Sequence, residues 1–231
     1  MITHHNPKSP VAEAYRTLRT NITFSALDKP FRTLMVTSAG PEEGKSTTLA
    51  NLAIAMAQAG SRILVVDCDL RKPLQHKIFS LSNRQGVTNL LVENLDAEQV
   101  IQSSVVPNLD VLTSGPIPPN PSELLGSKRM QSLLPRLVER YDCVLLDTPP
   151  AVAVTDAAVL APHVDGVILV IRAGVAKIEM LKEAKSLLDN ANARIIGTVL
   201  NGVKYDGDDY QYYYYYGERK KRKPKPGGQD D

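Results

Sequence analysis

Along this chain, short runs of apolar and often β-branched residues alternate with longer stretches whose apolar positions recur at helical spacing. The short runs are Thr33 to Ser38, Ile63 to Asp67, Leu109 to Thr113, Cys143 to Asp147, Gly166 to Ile171 and Ile195 to Leu200. Each is nearly continuous in apolar character, as expected of a strand buried on both faces. Between them the pattern predicts helices over Lys45 to Gln58, Ser122 to Arg140, Asp156 to Ala161 and Lys177 to Asn190. Ser122, just after the turn Pro118 to Pro121, is a candidate N-cap. Such alternation predicts an α/β fold in which a mostly parallel central sheet carries helices on both faces.

Two segments stand outside the alternation. Residues 1–32 include a helical stretch, Pro10 to Phe24, bearing Glu13, Arg16 and Arg19. Steps of three residues drift by only about 60° around a helix, so these three share one broad face. The tail 204–231 has almost no aliphatic residues and cannot build a core, so it is expected to be flexible. It holds Tyr205, Tyr210, Tyr212, Tyr213, Tyr214, Tyr215 and Tyr216 between the acidic stretch Asp206 to Asp209 and the basic stretch Arg219 to Lys225. The predicted organisation is an N-terminal segment over 1–32, one core over 33–203 and this tail. A chain of 231 residues can bury one sizeable core and leaves little room for a second.

The chemistry begins where the first strand meets the first long helix, at Ala39-Gly40-Pro41-Glu42-Glu43-Gly44-Lys45-Ser46-Thr47. This is a phosphate-binding loop, although the strict pattern has glycine where this chain has Ala39. Its backbone N–H groups and the positive helix end can cradle phosphates. Lys45 can reach the outer phosphate oxygens, and the Ser46 hydroxyl can bind Mg²⁺. Gly44 allows the backbone to approach a phosphate closely. Lys45 is expected on an exposed loop.

A second constellation ends the next strand, in Asp67-Cys68-Asp69-Leu70-Arg71. Two carboxylates at i and i+2 project to one side of an extended strand, at the edge where ligands bind in open α/β sheets. Asp147 ends a third strand and is followed by Thr148-Pro149-Pro150. Each acid alone could be a solvated strand end or a helix cap. Three of them on a sheet that also carries a phosphate-binding loop point to Mg²⁺ binding and proton acceptance.

Composition narrows the classes further. A formal net charge of +2 with both signs spread along the chain gives no field for nucleic-acid binding. No run of eighteen apolar residues and no apolar leader occur, so a cytosolic protein is expected. Cys68 and Cys143 lie in apolar strand-like runs and read as inert buried thiols. The four histidines have no ligand spacing, and no zinc-type site is predicted. Any metal should arrive with a nucleotide, held by hydroxyl, carboxylate and phosphate oxygens.

With these residues in hand, the chain resembles the bacterial tyrosine kinases that regulate capsule and exopolysaccharide synthesis, from about Glu13 to the tyrosine cluster. The resemblance rests on a Walker A loop from Ala39 to Ser46, a Walker A′ strand D-x-D-x-R at Asp67, Asp69 and Arg71, and a Walker B strand ending at Asp147. It also includes the helical E-x-x-R-x-x-R at Glu13, Arg16 and Arg19, the linker Gly115 to Pro121, and the C-terminal tyrosines. It implies a P-loop kinase core binding Mg-ATP through Gly40 to Thr47, with Ser46, Asp69 and Asp147 at the metal. It implies Asp67 as the acceptor of the tyrosine proton, with Lys45 and Asp69 beside it in catalysis. By the same resemblance the α-helical motif makes subunit contacts that close a ring, each subunit offering its tail tyrosines to a neighbour. A separate membrane protein of polysaccharide export is the implied activator, holding the kinase at the inner face of the membrane. Asn201, just beyond the last strand, is a candidate for adenine recognition, though Asn201-Gly202 is equally an ordinary turn.

A rival reading is an ATP-driven switch or scaffold without kinase activity, like partition and septum-positioning ATPases. Those relatives carry an extra lysine five positions before the main one, where this chain has Gly40, and they lack a tyrosine cluster. The tail could also bind a partner or an anionic surface through its basic stretch, a reading compatible with the kinase. From Lys204 onward it holds seven Lys or Arg against six Asp or Glu, a net charge of +1. Each phosphotyrosine would add about −1.5 to −2, so multiply modified tails should repel one another until a phosphotyrosine phosphatase resets them.

Overall fold

A computed structural model of the chain describes residues 1–26, 29–93 and 95–204. The elements run α1 (Ile2–His5), α2 (Pro10–Ser25), β1 (Thr33–Ser38), α3 (Lys45–Ala57), β2 (Ile63–Asp67), α4 (Gln75–Ile78), α5 (Val87–Val92), α6 (Ala97–Val100), β3 (Gln102–Ser103) and β4 (Leu109–Leu112). They continue with α7 (Pro121–Leu125), α8 (Lys128–Arg140), β5 (Cys143–Asp147), α9 (Asp156–Leu160), β6 (Gly166–Arg172), α10 (Ile178–Asn190) and β7 (Ile195–Asn201). The seven strands form one sheet in the order β3-β4-β2-β5-β1-β6-β7. Every pairing is parallel except β3 with β4. The parallel strands β1, β2 and β5 are buried at every position, which is why they read as unbroken apolar runs.

The two faces of the sheet carry separate apolar clusters. One gathers Met35, Leu64, Val66 and Leu146 with Leu133, Leu137 and Leu188. The other gathers Leu34, Val36, Val65 and Leu145 with Leu49, Leu52 and Ile54 of α3. Successive residues of one strand thus serve opposite faces, as the pleat requires. Helices on both sides follow from that division.

All six expected strands form within a residue or two, and the long helices begin and end where the pattern places them, with one correction. The helix expected over 122–140 is two helices. Ser127 caps α8, its Oγ accepting the Met130 N–H at 3.3 Å, while Ser122 lies inside α7, which Asn120 caps with Pro121 in the first turn. Gly126 stands at the break because a Cβ there would lie 2.7 Å from Val159 Cγ1 of α9. The two-residue strand β3 and the short helices α1, α4, α5 and α6 carry too few residues to show a period, and the sequence pattern does not reveal them.

Cys68 and Cys143 are buried and free. Burial pushes the Cys68 thiol well above its ordinary value and the Cys143 thiol up to about 12. A thiol without thiolate character and without access does not react. Iodoacetamide at about pH 8 is therefore expected to leave both unmodified in the folded chain and to modify both in denaturant, as mass spectrometry would show. Rapid labelling of either one in the native state would contradict this packing.

Candidate functional site

Strands β2, β5 and β1 are successive neighbours, so the segments leaving their carboxyl ends meet at one edge of the sheet. From β1 the chain passes through Ala39 to Gly44 into α3. Gly44 caps α3 with φ of 89°, and a Cβ there would stand 2.1 Å from Asn201 Nδ2, so both backbone and space require glycine. The loop is held by its surroundings. Ser38 Oγ donates to the Gly40 carbonyl at 2.7 Å, and the Gly40 N–H donates to Glu43 Oε1 at 3.2 Å. Asn201 Nδ2 donates to the Glu43 carbonyl and Arg172 to the Glu42 carbonyl, each at 2.9 Å. Pro41, Glu42 and Thr47 face outward, whereas Glu43 is buried with Oε2 unpartnered. Burial raises the Glu43 pKa, against the opposing pull of the Gly40 N–H. Among the described residues, the backbone N–H groups of Gly44, Lys45, Ser46 and Thr47 meet no acceptor. Four unpaired donors at the start of a thirteen-residue helix form a ready site for phosphate oxygens.

Beside this cradle the register of β2 against β5 pairs Asp67 with Asp147. Both carboxylates are fully buried. Lys45 is not on an exposed loop, as the sequence suggests, but is buried as the first residue of α3. Its Nζ donates to Asp69 Oδ2 at 2.8 Å and to Ser46 Oγ at 3.1 Å, and lies 3.5 Å from Asp147 Oδ1. Burial works against the ammonium, but the charges of Asp147 and Asp69 outweigh it and raise its pKa. Asp67 receives three backbone donors: Asp69 N–H on Oδ1 at 3.2 Å, and the N–H groups of Leu74 and Gln75 on Oδ2 at 3.1 and 2.9 Å. Its pKa is nonetheless pushed up to about 8, by burial first and then by the charge of Asp147. Burial likewise raises Asp147, opposed by Lys45 and by hydrogen bonds from Ser46 and Gln75.

Arg71 turns away from this cluster. Its Nε donates to Asp156 Oδ2 at 3.0 Å and its Nη2 to Ser122 Oγ at 3.3 Å, fastening the loop after β2 to the starts of α7 and α9. On the far side of the P-loop, a cavity of about 490 Å³ lies between α2 and the end of β7, lined by Tyr15, Leu18, Thr48, Leu200, Asn201 and Val203 among others. Its position beside the cradle suits a nucleoside.

The structure thus brings together Lys45, Ser46, Asp67, Asp69 and Asp147, with Gly40 to Thr47 and Asn201 around the cradle. Among the described residues no group of three or more His, Cys, Asp or Glu stands ready to hold a metal by itself. A divalent cation here would therefore need phosphate oxygens and the Ser46 hydroxyl besides the carboxylates, as Mg²⁺ accepts. Glu13 and Arg16 pair with each other, and Arg16 also donates to the Pro7 carbonyl. Arg19 is half-buried and donates to the Ala55 carbonyl of α3 at 3.0 Å, so it is turned inward. All seven tail tyrosines, from Tyr205 to Tyr216, lie outside the described residues. No helix of the described residues is long and apolar enough to cross a membrane. Two residues of the site escape sequence reasoning: Asp156, which reads as an ordinary helix start, and Gln75, which no motif or predicted element contains.

With this geometry established, the relatives are informative. The family model of the AAA domain matches residues 39–196, more than half of the chain. The tyrosine-protein kinase YwqD of Bacillus subtilis is 48% identical over 198 residues, covering 86% of this chain and 84% of that protein. The putative tyrosine-protein kinase CapB of Staphylococcus aureus is 42% identical over 209 residues, covering 90% and 92%. Among solved structures, the kinase domain of the Escherichia coli tyrosine kinase ETK superposes with a TM-score of 0.86 at 37% identity, covering 89% of this chain and 81% of that one.

The buried acids give the folded chain a definite response to pH. Asp67 holds its proton up to about pH 8 in the fold but only to its ordinary value of 3.8 when unfolded. Its contribution to stability is therefore fully present below about pH 4 and is lost as the pH rises towards 8, at up to about 1.4 kcal/mol per pH unit. Asp147 acts in the same direction. Lys45, whose raised pKa lies above its ordinary 10.5, changes nothing in this window. Without nucleotide and in the presence of a chelator, the melting temperature is expected to fall by several degrees between about pH 5.5 and 8, and Asp67→Asn to flatten that fall. A melting temperature that climbs through this range would contradict the buried cluster.

Proposed function

The chain belongs to the bacterial tyrosine-protein kinases, and we propose that it phosphorylates the tyrosines of its own C-terminal tail, Tyr205, Tyr210 and Tyr212 to Tyr216, in trans within a ring of subunits. It is an ATP-dependent protein-tyrosine kinase, and its P-loop core binds the nucleotide. The observation that carries the proposal is the placement of a fully buried acid, Asp67, beside a phosphate cradle whose lysine is already held by two further acids.

The geometry supports a division of labour. The free N–H groups of Gly44 to Thr47 and the Lys45 ammonium would take the β- and γ-phosphates, Lys45 leaving its carboxylate partners to do so. Ser46, Asp69 and Asp147 would hold Mg²⁺, which neutralises charge on the phosphates. In the transfer, the phenolic oxygen of tyrosine bonds to the γ-phosphorus, the bond to the β-phosphate oxygen breaks and ADP leaves. The phenolic proton passes to Asp67, which must be ionised to accept it; the positive charge of Mg²⁺ nearby would draw its raised pKa back down. Asn201 and the cavity beside it would receive the adenosine. The rival switch ATPase needs a lysine at position 40. This chain has glycine there, with Glu43 Oε1 and Met180 Cε close by.

In the cell this activity would regulate capsular or extracellular polysaccharide synthesis and export. The chain would work in the cytoplasm at the inner face of the membrane, engaged by a membrane-bound activator of the export machinery and reset by a phosphotyrosine phosphatase.

The direct test is incubation with Mg-ATP, with and without the cytoplasmic segment of a candidate activator, and mapping of phosphotyrosine by mass spectrometry. Lys45→Met is expected to abolish labelling. Because it strips the counter-charge from Asp69 and Asp147, it should also cost about 3–5 kcal/mol of stability, less at mildly acid pH where Asp147 takes up a proton. Asp67→Asn is expected to lose turnover by 10²-fold or more while ATP affinity changes little. Tail labelling in a folded Lys45→Met chain would overturn the site, and equal losses of turnover and affinity in Asp67→Asn would remove its role as base.

The ring makes a separate prediction from α2. Arg16 is exposed enough to meet a neighbour, whereas Arg19 already serves α3. Arg16→Glu is therefore expected to yield monomers by light scattering and to depress autophosphorylation, with only a small fall in melting temperature from the lost bonds to Glu13 and Pro7. An unchanged assembly would count against the ring.

A further inference from the structure

Gln75 contacts all three motif segments of the site, two through its side chain and one through its backbone, and no motif contains it. It is fully buried at the start of α4. Its backbone N–H donates to Asp67 Oδ2 at 2.9 Å, and its Nε2 donates to Asp147 Oδ2 at 2.7 Å and to the Ser46 carbonyl at 3.2 Å. Its Oε1 has no partner among the described residues. A buried amide oxygen left without a donor is costly, and its retention calls for a reason beyond packing.

Resting on the kinase reading above, we propose that Gln75 is a positioning residue that orients Asp147 for the divalent cation accompanying ATP. Asp147 has two oxygens, approached by Lys45, Ser46 and Gln75. Gln75 takes Oδ2, which fixes the carboxylate plane and leaves Oδ1 on the side of Lys45 and Ser46. That is the oxygen available once Lys45 turns to phosphate. The second bond of the same amide, to the Ser46 carbonyl, ties the residue whose hydroxyl would join the cation to the same support. The unpaired Oε1 can accept from a water, and Mg²⁺ usually keeps several of its own. Supporting groups of this kind typically alter metal affinity by 10–100-fold when removed. Gln75 bears no charge, so its effect is on orientation and not on the field of the site.

The test reads binding and not turnover. Fluorescent ADP is titrated onto the full chain with a chelator and again with Mg²⁺, and the ratio of the two affinities is compared among wild type, Gln75→Met and Gln75→Leu. The expected result is an unchanged affinity without Mg²⁺ and a loss of about tenfold in the gain that Mg²⁺ confers, in both variants. An unaltered gain would overturn the proposal, as would equal losses with and without the cation. Should either variant fold poorly, glutamine-labelled wild type supplies an independent measurement. One slowly exchanging side-chain amide should shift when Mg²⁺ is added to the ADP-bound chain, and no such shift means that Gln75 does not sense the cation. A wild type that binds Mg-ADP but never labels tyrosine would refute the kinase reading and leave this one standing.

Discussion

The Lys45 ammonium, set between Asp69 and Asp147, is the interaction on which the active edge depends. Parallel pairing of β2 with β5 places Asp67 directly beside Asp147, and both are out of water. Two carboxylates in that position repel strongly, because interaction energies grow as the local dielectric falls. The fold answers with one cation, three backbone N–H groups on Asp67 and the Gln75 amide on Asp147. The acids then take up protons readily, as their raised pKa values record. When phosphate draws Lys45 away, the same carboxylates need another positive charge. Demand for nucleotide and demand for a divalent cation are thus set by one cluster.

That cluster also explains the path of the chain after β2. Asp67 reaches forward to the N–H groups of Leu74 and Gln75, and Asp69 Oδ1 accepts the Lys72 N–H at 3.0 Å. The loop folds back over the acids that begin it, and α4 starts without a cap of its own because a strand residue supplies one. Arg71 holds the outside of the loop to Asp156. Phosphoryl transfer asks the protein mainly for position and charge. Position comes here largely from backbone bonds to Asp67 and Asp69, and charge from the Lys45 ammonium.

The same distinction decides what the sequence discloses. Strands buried on both faces betray themselves as apolar runs, and the phosphate cradle is local, needing only the order strand, loop, helix around Gly44 and Lys45. Asp67 and Asp147 are legible because each ends a strand, and Asp69 because it follows Asp67 by two residues. Gln75 and Asp156 are not, because their partners lie 72 and 85 residues away in sequence and neither position carries a local pattern. Short helices such as α4 are held by tertiary contacts, and no periodicity announces them. The pairing of Glu13 with Arg16 accords with helical spacing. Spacing alone does not tell that Arg19 turns inward to α3.

That inward turn gives the N-terminal segment a larger part than an appendage would have. Arg19 binds the Ala55 carbonyl near the end of α3, and at the middle of the helix Asn51 Oδ1 accepts both the N–H and the hydroxyl of Thr3 at 3.1 and 2.9 Å. The helix so gripped is the one whose first residue is Lys45. It is buried along nearly its whole length, and close-packed cores transmit displacement and do not absorb it. A contact made on the exposed side of α2, at Glu13 or Arg16, is therefore separated from the phosphate cradle by a single rigid helix. A displacement of α2 would thus reach Lys45 through α3 alone.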